Sequence, residues 1–146
     1  MGLSVSPLES HPVPMTPPSI LPSQEAIVLI AHGTRHPEDS QVVLRYAQEL
    51  SEQIARKVYP GFIELLAPSP VEAMRQAIQE GYTQLKIVPY LLFASSHFKK
   101  DLRTAIEAIH KEYPQLQVSL CQPLGYDLRM LAILKDRVQE PSTAHF

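Results

Sequence analysis

A chain of 146 residues with a formal net charge of −2 has room for one domain with a real core, and that charge excludes general nucleic-acid binding through a basic surface. With 45% hydrophobic and 19% charged side chains it has the balance of a soluble globular protein, and no apolar run approaches the roughly 20 residues that span a bilayer. The only cysteine, Cys121, excludes an intrachain disulfide and a cysteine-built zinc site, and suits a reducing, cytoplasmic setting.

Residues 1–24 hold six of the fourteen prolines, several serines and no lysine or arginine. They lack both a packing pattern and the charged start of a secretory signal, so they read as a flexible tail. One α/β domain is expected over 25–140, with 141–146 as a flexible C-terminus. Ala26 to Ala31 is an apolar run without alternation, the mark of a strand covered on both faces. His32 and Gly33 follow it directly, and Gly33 would let the backbone approach whatever binds there.

Val42, Val43, Tyr46, Ala47, Leu50 and Ile54 then fall at helical spacing, with Asp39 or Ser40 as cap and Pro60-Gly61 as stop. Phe62 to Leu66 reads as a second strand, with Glu64 near its end. Ser69-Pro70-Val71-Glu72 has the form of a capping box with proline in the first helical position, and Gly81 suits the end of that helix. Leu85 to Phe93 reads as a third strand lying mainly before Pro89, because proline cannot donate to the ladder. A polar turn from Ala94 to Asp101, carrying His97, leads into a helix with Leu102, Ala105, Ile106, Ile109 and Tyr113 on one stripe. Gln117 to Cys121 is a fourth strand, and Asp127 caps a last helix with Leu128, Leu131, Leu134 and Val138 on one face.

Strands alternating with helices imply right-handed crossovers and a parallel four-stranded sheet flanked by helices, half of a flavodoxin-like unit. In the order 2-1-3-4, His32 and His97 face each other across the switch point, and Glu64 emerges beside them. Two imidazoles and a carboxylate at an open edge suit a divalent first-row metal, Fe²⁺, Co²⁺, Ni²⁺ or Zn²⁺, and leave coordination positions vacant for an incoming ligand. His11, His36 and His110 read as solvated side chains. Arg35, Lys99, Lys100 and Arg103 cluster in sequence beside the two histidines and could receive carboxylates.

The segments Ala31-His-Gly-Thr-Arg35, Glu64-Leu-Leu-Ala-Pro-Ser69 with Glu72-Ala73, Val88-Pro-Tyr-Leu-Leu-Phe93, His97 with Asp101, and Pro123-Leu-Gly125 together resemble the short class II chelatases, the sirohydrochlorin cobalto- and ferrochelatases. The resemblance covers about residues 26 to 138. It implies a chelatase-like fold and an enzyme that inserts a divalent metal, Co²⁺ or Fe²⁺ with Ni²⁺ as a third, into sirohydrochlorin on the way to siroheme or cobalamin, without an organic cofactor.

It also implies that His32 and His97 bind the metal, and that Glu64 matches a carboxylate implicated beside them in larger relatives. Neutral His32 or His97, or Glu64, would accept the pyrrole protons, and the cations at 35, 99, 100 and 103 would meet the carboxylates of the tetrapyrrole. Longer class II chelatases contain two such units around one cleft, which implies a homodimer here. Two other classes share parts of the pattern: a metal or tetrapyrrole carrier, which needs the same site without turnover, and a histidine phosphatase, in which arginine precedes histidine.

Overall fold

The structure, a computed structural model, describes residues 25–146. The reading of residues 1–24 as a tail lies outside the described residues. These form β1 (Glu25–Ala31), α1 (Pro37–Ile54), β2 (Val58–Phe62), α2 (Pro70–Gln79), β3 (Gln84–Pro89), α3 (Ser96–Glu112), β4 (Gln117–Leu120) and α4 (Leu128–Gln139). All strands are parallel, in the order β2-β1-β3-β4. The expected topology is the observed one.

β1 is central because its run of apolar residues can be buried from both sides. Ala26, Val28 and Ile30 join Ala73, Met74 and Ala77 of α2 and Phe98, Leu102 and Ile109 of α3 in one core. Ile27, Leu29 and Ala31 join Val43 and Ala47 of α1 in the core on the opposite face. All of β1 except Glu25 is buried. Both cores thus pin β1, and the chain leaving it is held from both faces.

Two boundaries differ from the sequence reading. The second strand is Val58–Phe62, not Phe62–Leu66, and it contains the Pro60-Gly61 pair taken as a helix stop. β2 is an edge strand, where a proline is tolerated because no outer neighbour asks for its missing N–H. A Cβ on Gly61 would lie 2.9 Å from Ile30 Cδ1 and 3.2 Å from the Ala73 Cβ, so this glycine serves the close packing of α2 on the sheet. α1 ends instead at Ala55, a left-handed residue (φ 55°) whose N–H bonds to the Ser51 carbonyl. It begins earlier than expected as well, with His36 at the cap and Pro37 in the first turn, where proline loses no hydrogen bond.

α2 and β3 follow the reading closely. Ser69 and Glu72 form both bonds of the capping box, and β3 ends at Pro89. α4 starts from the expected cap, Asp127, but none of its residues is buried. No described helix is long and apolar enough to cross a membrane.

Candidate active site

The site starts where β1 and β2 leave the sheet side by side. Their pairing continues past the ends of both strands: the Ile63 N–H donates to the Ala31 carbonyl and the Glu64 N–H to the His32 carbonyl, each at 3.0 Å. Gly33 makes this possible. Its φ is +106°, and a Cβ there would fall 1.8 Å from the Glu64 carbonyl oxygen. The sequence reading gave Gly33 to a ligand, whereas the structure gives it to the backbone of Glu64.

With both backbones fixed in this way, His32 Nε2 stands 3.1 Å from Glu64 Oε2, and each side chain is 46% exposed. The pair is therefore oriented by buried strands and open to an incoming ligand. An imidazole whose Nε2–H is held by a carboxylate is fixed in one tautomer and presents Nδ1 to a metal.

His97 arises differently, in the first turn of α3. Ser95 caps that helix by accepting from the Phe98 N–H at 3.1 Å, and Phe98 is buried. The turn is thus anchored from inside the core. His97 Nε2 lies 3.1 Å from Asp101 Oδ2, one turn along the helix. Asp101 is absent from the candidate set drawn from the sequence, although its spacing of four from His97 is the signal that could have found it. Among the described residues no three His, Cys, Asp or Glu side chains stand close enough together to hold a metal ion. Among the described residues His32–Glu64 and His97–Asp101 are thus two separate imidazole–carboxylate pairs, not one merged cluster.

The four cations do not form one group. At roughly 100° per residue, Lys99 and Arg103 lie about 200° around α3 from His97 and Asp101, on the opposite flank. They line a cavity of about 430 Å³ with Phe98, Leu102, Ile106 and Leu120. Lys100 lies roughly 60° from His97 on its own flank. Arg35 is exposed, two residues past Gly33. Of the other histidines, His110 is not the solvated side chain expected, since its Nε2 is 3.0 Å from the Leu116 carbonyl in a half-buried position, and His36 is exposed at the cap of α1, as expected.

The sequence reading assigned no role to Leu65, Phe93 or Tyr126, yet all three stand at the same edge, exposed by 55%, 80% and 85%. The loops that carry the last two are joined, because the N–H groups of Leu124 and Gly125 donate to the carbonyls of Leu91 and Leu92 at 2.8 and 3.0 Å. They give the edge an apolar margin suited to a flat, hydrophobic surface.

The CbiX family model matches residues 26–141. A sirohydrochlorin cobaltochelatase of Sulfurisphaera tokodaii is 33% identical over 114 residues, which cover 78% of this chain and 91% of that protein. A sirohydrochlorin ferrochelatase of Priestia megaterium is 28% identical over 117 residues, covering 80% of this chain. The chain spans 44% of that longer relative. Among solved structures, the sirohydrochlorin chelatase SirB from Bacillus subtilis subspecies spizizenii, in complex with cobalt, superposes with a TM-score of 0.74 at 23% identity, over 80% of this chain and 50% of the other. That likeness concerns the fold, and the chain spans about half the length of that structure. On the match of the family model across nearly the whole described domain, together with these relatives, the chain belongs to the CbiX family.

Proposed function

We propose that the protein is a sirohydrochlorin chelatase, inserting Co²⁺ or Fe²⁺ into the macrocycle with release of two pyrrole protons. The observation that carries this reading is the His32–Glu64 pair, held at 3.1 Å by a backbone ladder and left half open. Its relatives are named for this reaction with both metals. His32 and His97 hold the metal as substrate, and few protein ligands suit a site that must surrender its ion to four macrocycle nitrogens. Glu64, within reach of His32, takes up pyrrole protons directly or through water. Arg35 and Lys100, on the side of the histidines, meet the carboxylates of the tetrapyrrole. Lys99 and Arg103, on the far flank of α3, stand outside that contact. A cytoplasmic location suits the lone thiol, Cys121.

The enzyme acts as a homodimer. One carboxyl edge gives one wall of a cleft, and a longer relative, of whose length the matched region covers 44%, supports the need for a second unit. The reaction is tested by following the absorbance of sirohydrochlorin with Co²⁺, Fe²⁺ or Ni²⁺ and catalytic amounts of protein. Many turnovers per chain with Co²⁺ or Fe²⁺ are expected. A single stoichiometric transfer would make the protein a carrier, and no acceleration over the spontaneous reaction would overturn the reading.

A further inference from the structure

His97 and Asp101 lie four residues apart on α3, and one position further along lie Phe98 and Leu102 with the same spacing. Side chains so spaced stack on one helix face. Phe98 and Leu102 are 1% and 2% exposed, so the core fixes the rotation of this turn and with it the direction of the preceding pair. The contact that results, His97 Nε2 to Asp101 Oδ2 at 3.1 Å, is the only ion pair of Asp101 among the described residues. Asp101 is the more sheltered partner, its side chain 37% exposed against 65% for His97.

The charges along α3 call for a carboxylate at this place. α1 opens with Glu38 and Asp39 and α2 with Glu72, whereas the first turn of α3 holds no acidic residue. Lys99 and Lys100 follow His97 instead. A dication at His97 therefore meets the positive end of a helix with ammonium groups close by in the chain. Asp101 is the first carboxylate of α3 that can offset them.

We infer that Asp101 is a positioning residue for His97. By accepting the Nε2–H it holds the imidazole in the tautomer whose Nδ1 is free to bind an ion, and its charge makes that nitrogen a stronger donor. His32 is engaged through the same ring nitrogen by Glu64, so both rings offer Nδ1. They are prepared from different sources, His32 by the neighbouring strand and His97 by its own helix. The role rests on the reading of His97 as a metal ligand and adds the group that readies it. In this role Asp101 touches neither the metal nor the macrocycle.

The test begins with the full-length, metal-free protein carrying nitrogen-15 histidine, in which long-range nitrogen–proton spectra report the tautomer of each ring. The His97 signals are those lost in His97→Ala. At about pH 8.5, where imidazoles are neutral, His97 is expected almost wholly as the Nε2–H form. In Asp101→Ala a measurable share of the Nδ1–H form should appear. Titration with Co²⁺ alone, followed by the visible absorption of the bound ion, should show affinity lowered roughly 10- to 100-fold in that variant. Its kcat for insertion should fall while KM for sirohydrochlorin and the melting temperature stay nearly unchanged. Asp101→Asn keeps an oxygen that accepts the Nε2–H without the charge, so it should retain the tautomer and recover part of the affinity. An unchanged tautomer ratio or an unchanged Co²⁺ affinity in Asp101→Ala, beside a loss of affinity in His97→Ala, would overturn the positioning role alone. Asp101→Asn binding Co²⁺ as poorly as Asp101→Ala despite a retained tautomer would also overturn it, making Asp101 a ligand in its own right. His97→Ala binding Co²⁺ as tightly as the unsubstituted protein would overturn the metal reading of His97 and the positioning role with it.

Discussion

Gly33 joins the two halves of the His32–Glu64 pair, because only a residue without Cβ lets the Glu64 carbonyl approach at that positive φ. Gly33→Ala is therefore expected to cost roughly 1–3 kcal/mol of stability and to lower chelation at least tenfold at a temperature where the variant is still folded, as read by thermal melting and by metal insertion. Unchanged activity would mean that the geometry of the pair does not matter to turnover. The cations divide by flank. Arg35→Ala and Lys100→Ala should raise KM for the tetrapyrrole more than they lower kcat, with an effect that shrinks as salt shortens the roughly 10 Å reach of exposed charges. Lys99→Ala and Arg103→Ala should leave KM near its original value. His32, Glu64 and His97 were legible in the sequence because each follows an apolar run or opens a helix, the places where a parallel sheet exposes chemistry. Leu65, Phe93 and Tyr126 were not. An apolar residue in a loop carries no periodic signal, and only the structure shows that it stands exposed.

Among the elements, α2 was the most legible because its start is chemical rather than statistical: Ser69, Pro70 and Glu72 each satisfy or remove an orphan N–H. Ser69→Ala should lower stability by about 1 kcal/mol, seen as a shift in the urea midpoint without a change in slope. β2 was misplaced because Pro60 and Gly61 are strong punctuation in sequence, and nothing local tells that this strand lies at an edge. The end of α1 was missed for the converse reason, since Ala55 takes a left-handed conformation without the glycine that usually marks one. At α4 the bidentate bonds from Arg129, then its backbone N–H, hold the Asp127 carboxyl well below the usual carboxylate range. A lowered folded pKa contributes stability above the unfolded value, and that stability is lost as pH falls through the folded one. The cap should therefore persist at mildly acidic pH and fail only in strong acid, and Asp127→Ala should remove this acid dependence from the far-ultraviolet helical signal.

For the whole molecule, a parallel four-stranded sheet was predictable from the alternation of elements, and the order 2-1-3-4 expected with it is the one observed. The exposure of α4 among the described residues was not predictable, because an amphipathic stripe reads the same whether or not its own sheet covers it. If the cleft needs two copies, specific activity should fall as the protein is diluted through its dimer dissociation range and recover on concentration. Activity that is independent of dilution, in a protein that is monomeric by light scattering, would assign the complete site to one chain. The most direct measurement is the initial rate of Co²⁺ insertion into sirohydrochlorin by His32→Ala and His97→Ala, each first shown to melt at the temperature of the unsubstituted protein. The two side chains are 46% and 65% exposed, so the fold should be untouched. We expect each variant to fall close to the spontaneous rate, and either one inserting Co²⁺ at the original rate would contradict joint metal binding by the two histidines.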